Sequence, residues 1–163
     1  MNTPLTLQSI RTKAAFTLVE LLVVVVVLSI LAAIAIPKFS SATDDARSAS
    51  TQSTLAGVRS AIATYRMNAV INGNDPFPTA TQLTSGTVVK FDIPPNPYTG
   101  VGGVQSVSQG QANSRAVVSP NSAGWNYYYD NNATPPAAIF YSNCDDTSAV
   151  GNGSGGLLGA NDL

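Results

Sequence analysis

The residue whose setting most invites chemistry is Glu20, a carboxylate inside a run of apolar side chains. It is the only glutamate, and the other eight acids are aspartates. A charged side chain in hydrocarbon costs about 2.5–3.5 kcal/mol on insertion scales and usually marks a function with a partner. Glu20 lies four residues after Phe16. A cut between Ala15 and Phe16 would create an ammonium at Phe16. At that depth an amine and a carboxylate are each costly alone and favourable together. The amine of a neighbouring, axially shifted copy is therefore a candidate partner for Glu20. Such a pair would fix register between subunits, as one buried polar residue does in a coiled coil.

Several other chemistries are excluded. There is no His and one Cys, Cys144. A Ser-His-Asp or Cys-His nucleophile cannot be assembled, nor a Cys/His zinc site from one chain, nor an internal disulfide. Cys144 reads as a small, partly buried residue, with an intermolecular bridge as the alternative. Charged residues make up 10% of the chain and the net charge is −1. There is no basic patch to follow phosphates, so nucleic acid is not an expected partner. No catalytic residues are assigned. A secreted or anchored enzyme behind an unusual signal is the reading from another class, and the missing His and scarce carboxylates outside loops speak against it.

The element that must carry Glu20 is the segment Phe16–Ile36, 21 almost wholly apolar residues. As a helix it spans about 31 Å at 1.5 Å per residue, enough for a hydrocarbon core of roughly 30 Å. The run Val23–Val27 is β-branched, but in lipid the backbone must satisfy its own hydrogen bonds and a helix prevails. Arg11 and Lys13 precede the span, so the positive-inside rule keeps Met1 cytoplasmic and exports everything after Pro37. A secretory signal is the competing reading, with Ala33-Ile34-Ala35 as the cleavage sequence and Ile36 as the mature start. Its apolar stretch is longer than the usual ~7–15 residues. A plain single-span anchor also fits but gives Glu20 no purpose.

Ala14-Ala15-Phe16-Thr17-Leu18-Val19-Glu20, followed by an apolar helix and Pro37, resembles the N-terminus of type IV pilins and type II secretion pseudopilins. The resemblance implies cleavage between Ala15 and Phe16 by a prepilin peptidase, N-methylation of Phe16, and a filament-assembly role for Glu20 and Phe16. It departs at Ala15, where the family usually has Gly. It also implies, as partners, further copies in a homo-oligomeric filament, minor pseudopilins and an inner-membrane assembly platform. The location it implies is the bacterial inner membrane, with the C-terminal domain outside the cytoplasm.

Beyond the span, Pro37 is expected to kink the helix, and Lys38 to snorkel. Residues Phe39–Thr54 continue the helix with small polar side chains. Leu55, Val58, Ile62, Tyr65 and Ala69 recur at spacings of three and four and form one packing face. Asn72-Gly73-Asn74 stops the helix. After it, Thr87–Ile93 reads as a strand, Pro94–Gly100 as a turn, Gly102–Ser114 as a loop and Arg115–Ser119 as a short strand. Trp125–Tyr129 and Ala137–Tyr141 form an aromatic hairpin across Asp130–Pro136. Its rings suit core packing better than a carbohydrate- or base-stacking platform. The tail Val150–Leu163 is expected to be mobile.

Ile93-Pro94-Pro95-Asn96-Pro97-Tyr98-Thr99-Gly100 and Gly124-Trp125-Asn126-Tyr127 are similar to segments of G-type pseudopilins. That resemblance implies calcium in a late loop, with Asn143, Asp145 and Asp146 as candidate ligands and Asp130 nearby. It favours a pseudopilin aiding protein export over a true type IV pilin for adhesion, motility or DNA uptake. The expected fold is α+β, a long N-terminal helix packed on a small antiparallel sheet. The expected divisions are a leader at 1–15, the span at 16–36, the continuing helix at 37–72 and a β/loop domain at 73–163.

Overall fold

The structure, a computed structural model, describes residues 16–163. The fold is α+β, a long N-terminal helix followed by small sheets. Helix α1 runs Leu18–Ile71 and includes Pro37. Two compact units divide the chain after Phe39.

In the first unit every side chain from Phe16 to Ile34 is exposed. Among the described residues this is one helix long and apolar enough to cross a membrane.

The second unit, Ser40–Leu163, holds the core. Here α1 turns Ser48, Thr51, Leu55, Val58, Ile62 and Ala69 inward, while Tyr65 is half-buried. Their spacing is the one-face pattern expected of the sequence. The helix ends as expected at Asn72-Gly73-Asn74. Asn74 N–H donates to Ala69 O at 2.8 Å and Gly73 N–H to Val70 O at 3.3 Å, with Gly73 at φ 70°. That is a Schellman cap, and its left-handed residue suits glycine.

Two short helices follow, α2 (Ala80–Thr84) and α3 (Gln109–Asn113), each opened by a capping box, Thr79 with Gln82 and Ser108 with Gln111. The strands are β1 (Val104–Ser106), β2 (Trp125–Asp130), β3 (Ala137–Ser142), β4 (Thr147–Gly151) and β5 (Leu157–Gly159). The aromatic hairpin is present as β2 and β3, paired antiparallel from Trp125 opposite Ser142 to Asp130 opposite Ala137. Trp125 and Tyr127 are fully buried, and Trp125 stacks on Phe140 at 5.8 Å between centroids. The rings are core, not a platform.

Four expectations are corrected. The sheet is mixed, because β1 pairs parallel to β2; the loop expected at Gly102–Ser114 thus contains β1 and α3. Thr87–Ile93 joins no ladder, although Val89 is buried. It docks through the apolar side chains of Val88, Val89 and Ile93. Arg115–Ser119 is not a strand, since Arg115 and Ser119 take φ of 51° and 42°. The tail is folded: β4 pairs with β5, and Asp146 O accepts from Ala160 N–H at 2.8 Å.

Candidate functional site

Ala15, one side of the expected cut, lies outside the described residues; Phe16, Thr17 and Glu20 lie within them. Thr17 precedes the first residue of α1 and caps it. Glu20 N–H donates to Thr17 Oγ1 at 3.2 Å, and Thr17 N–H donates back to Glu20 Oε2 at 3.4 Å. This reciprocal pair is a capping box, Thr-x-x-Glu, in which two otherwise orphaned N–H groups are satisfied. The sequence carried that signal, but the apolar surroundings drew attention to the charge instead. Glu20 therefore has a partner within its own chain. Its carboxylate remains exposed, as does Phe16, at 81%. Further along the span Ser29 is satisfied internally, its hydroxyl donating to Val25 O at 2.8 Å.

In the second unit, the two late motifs meet. Asn96 and Val101 close the proline-rich turn, Asn96 N–H donating to Val101 O at 2.9 Å. Asn96 Nδ2 reaches Gly124 O at 2.9 Å and Ser142 Oγ at 2.8 Å. Trp125 Nε1 donates to Pro94 O at 2.9 Å. A Cβ on Gly124 would lie 2.0 Å from Val101 O, so the backbones approach as only glycine permits. Tyr98 then ties this clasp to α1. Ser48 Oγ donates to Asp44 O at 2.8 Å, leaving it to accept from Tyr98 Oη at 2.9 Å and from Ala149 N–H at 2.7 Å.

Residues 10–36 match the prokaryotic N-terminal methylation motif. Over 48 residues, 29% of this chain, the sequence is 52% identical to the type IV narrow pilus major component PilA5 of Thermus thermophilus. The match spans 41% of that relative's length. The N-terminal region of the chain is thus similar to that of type IV pilins. No solved structure matches it. That likeness and the exposed apolar helix fit a single-pass inner-membrane protein.

The candidate calcium ligands do not converge. Asn143 is fully buried. Its Oδ1 accepts from Val118 N–H and Asn126 Nδ2, and its Nδ2 donates to Val118 O and Ala123 O. Both lone pairs of that oxygen are taken, so it has none for a cation. Asp145 and Asp146 are exposed, and no group of three or more acids or cysteines stands together among the described residues. Asp130 Oδ1 is engaged by the N–H groups of Asn132 and Ala133. These residues do not fit a site of six to eight oxygens. Asn143 is instead the hub of a buried amide network that sequence reading took for a surface loop.

Cys144 is buried, and burial, the largest influence, pushes its thiol up to about 11. A buried, protonated thiol is inert, which suits the packing role.

Proposed function

We propose that this chain is a structural subunit of a membrane-anchored filament, cut between Ala15 and Phe16, methylated at Phe16 and registered by Glu20. The observation that carries this reading is the coincidence, at one helix start, of an exposed Phe16, a capping Thr17, an acid at Glu20 and a long exposed apolar surface. Such a surface is stable only in lipid or against other apolar helices. Prepilin peptidase and an inner-membrane assembly platform are the partners this process requires.

Within the class we favour a pseudopilin of a type II secretion-like machine. The support is that the clasp joins the two segments resembling G-type pseudopilins, and that a lone buried cysteine closes no disulfide loop. The second reading, a true type IV pilin, is favoured by the similarity to a pilus major component.

Mass spectrometry of the mature protein tests the first step. A chain starting at N-methylated Phe16 is expected; one starting at Ile36, or uncut, would refute the reading. Deleting the gene separates the alternatives. Lost protein export without lost surface filaments marks a pseudopilin, and lost surface filaments mark a pilin.

A further inference from the structure

In the second unit α1 and β3 border a groove of about 380 Å³. Its floor includes Ile62, Phe77 and Phe140, and three guanidinium groups line it, those of Arg59, Arg66 and Arg115. These are three of the five basic residues in Ser40–Leu163, a unit that carries eight aspartates. None of those aspartates lines the groove. Among the described residues the ion pair present joins Arg47 to Asp44, elsewhere on α1.

The three arginines are held differently. Arg59 donates to Phe140 O at 3.1 Å and to Leu163 O at 3.0 Å, and so forms a fixed wall. Arg115 donates to Asn161 O at 3.3 Å and lies over the Tyr141 ring. Arg66 rests over the Phe77 ring at 5.0 Å, and no hydrogen bond engages it among the described residues. Burial, and then the charge of Arg115, lower the pKa of Arg59. Arg59 is thus answered by the Leu163 and Phe140 oxygens, while Arg66 and Arg115 meet no aspartate in the groove. Guanidinium groups above an apolar floor match a carboxylate carried on a protein surface, since the planar fork pairs with carboxylate oxygens.

Besides Asp44, which pairs with Arg47, the same unit exposes Asp45, Asp75, Asp92, Asp145, Asp146 and Asp162. Its charges are thus segregated, with cations gathered in one groove and anions spread elsewhere. Copies anchored side by side would meet at high local concentration, and opposite potentials select register and orientation. We infer that this groove receives an exposed aspartate of a second copy of the chain, forming a subunit contact made within the second unit. The contact rests on the filament reading above.

The test uses full-length protein in cells that assemble it. Arg66→Glu should fold, because no hydrogen bond engages Arg66 among the described residues, and loss of its contact with the Phe77 ring should lower Tm in detergent by no more than about 4 °C. Filament yield should drop at least about ten-fold, since like charges now meet. Replacing each of those six aspartates by arginine in turn, in the Arg66→Glu background, should restore assembly for one of them. Arg66→Gln gives the same reading, with a smaller drop, should the reversal unfold the unit. Wild-type yield from both folded variants, or a defect that none of the six reversals restores, would overturn the contact. If wild type forms no filament, the filament reading and the contact fall together; if it and both variants assemble alike, only the contact falls.

Discussion

Thr17 and Glu20 close on each other across the first turn of α1, hydroxyl to amide and amide to carboxylate, at 3.2 and 3.4 Å. The acid thus has a local use that does not depend on any second copy. Capping and intersubunit pairing make separable demands on the same side chain. A cap needs only an acceptor three residues along, which glutamine supplies; pairing with an amine needs the charge.

Glu20→Gln should therefore keep the helix start, insertion and cleavage, yet lose filament assembly. Thr17→Ala should do the reverse, weakening the start by about 1 kcal/mol while filaments persist. Electron microscopy of the two variants beside wild type checks this. Normal filaments from Glu20→Gln would leave the cap as the sole role for the residue.

Gly124→Ala should be severely destabilising. Its new methyl would stand 2.0 Å from Val101 O and 2.8 Å from Asn96 Cβ, both parts of the same clasp. Overpacking of this kind costs roughly 3 kcal/mol or more where the backbone cannot yield. Circular dichroism of the detergent-solubilised chain should show a fall in Tm of at least about 6 °C. An unchanged Tm would mean that the clasp opens cheaply.

Thr51→Val should be neutral or stabilising by about 1 kcal/mol. Thr51 is fully buried and its hydroxyl finds no partner among the described residues. Replacing an unsatisfied buried hydroxyl by a methyl of similar size removes a desolvation penalty of about 1–3 kcal/mol. Denaturant titration of the same preparation measures the midpoint, which should not fall.

Cys144 sets a pH dependence at the alkaline end. Its thiol is raised from 9.0 to about 11, so the folded state holds the proton more tightly than the unfolded chain. The resulting stability is fully present below pH 9 and is lost as pH rises toward about 11. Alkylation by iodoacetamide at pH 8 should be slow in the folded chain and fast in denaturant. Cys144→Ser should flatten the fall in stability across that window.

The helix, its apolar half and its packing face were legible because periodicity and hydropathy act locally. Leu55, Val58, Ile62 and Ala69 all face the core that their spacing announced. The hairpin was legible for the same reason. The pairing of Val104–Ser106 with Trp125–Tyr127 was not, since a parallel partner lies far along the chain and three residues carry little strand signal. The turn at Arg115 escaped because a distant group helps to set its backbone. Asn161 Nδ2 holds Arg115 O at 2.8 Å. Asn143 looked like a surface ligand because asparagine is usually exposed, and only tertiary structure encloses it with Asn126 and Gln105. At the site itself, Thr-x-x-Glu was fully written in the sequence.

Ser48 on α1 accepts from the backbone of Ala149, 101 positions later, and Arg59 reaches Phe140 and Leu163. The inner face of the helix thus waits for the last strands before it is covered. A chain threaded outward from its N-terminus exposes that face throughout its passage. Such long sequence separations slow folding, and a product truncated before β3 would present a bare amphipathic helix to its surroundings. Completion of the domain is then the step that covers the inner face of α1.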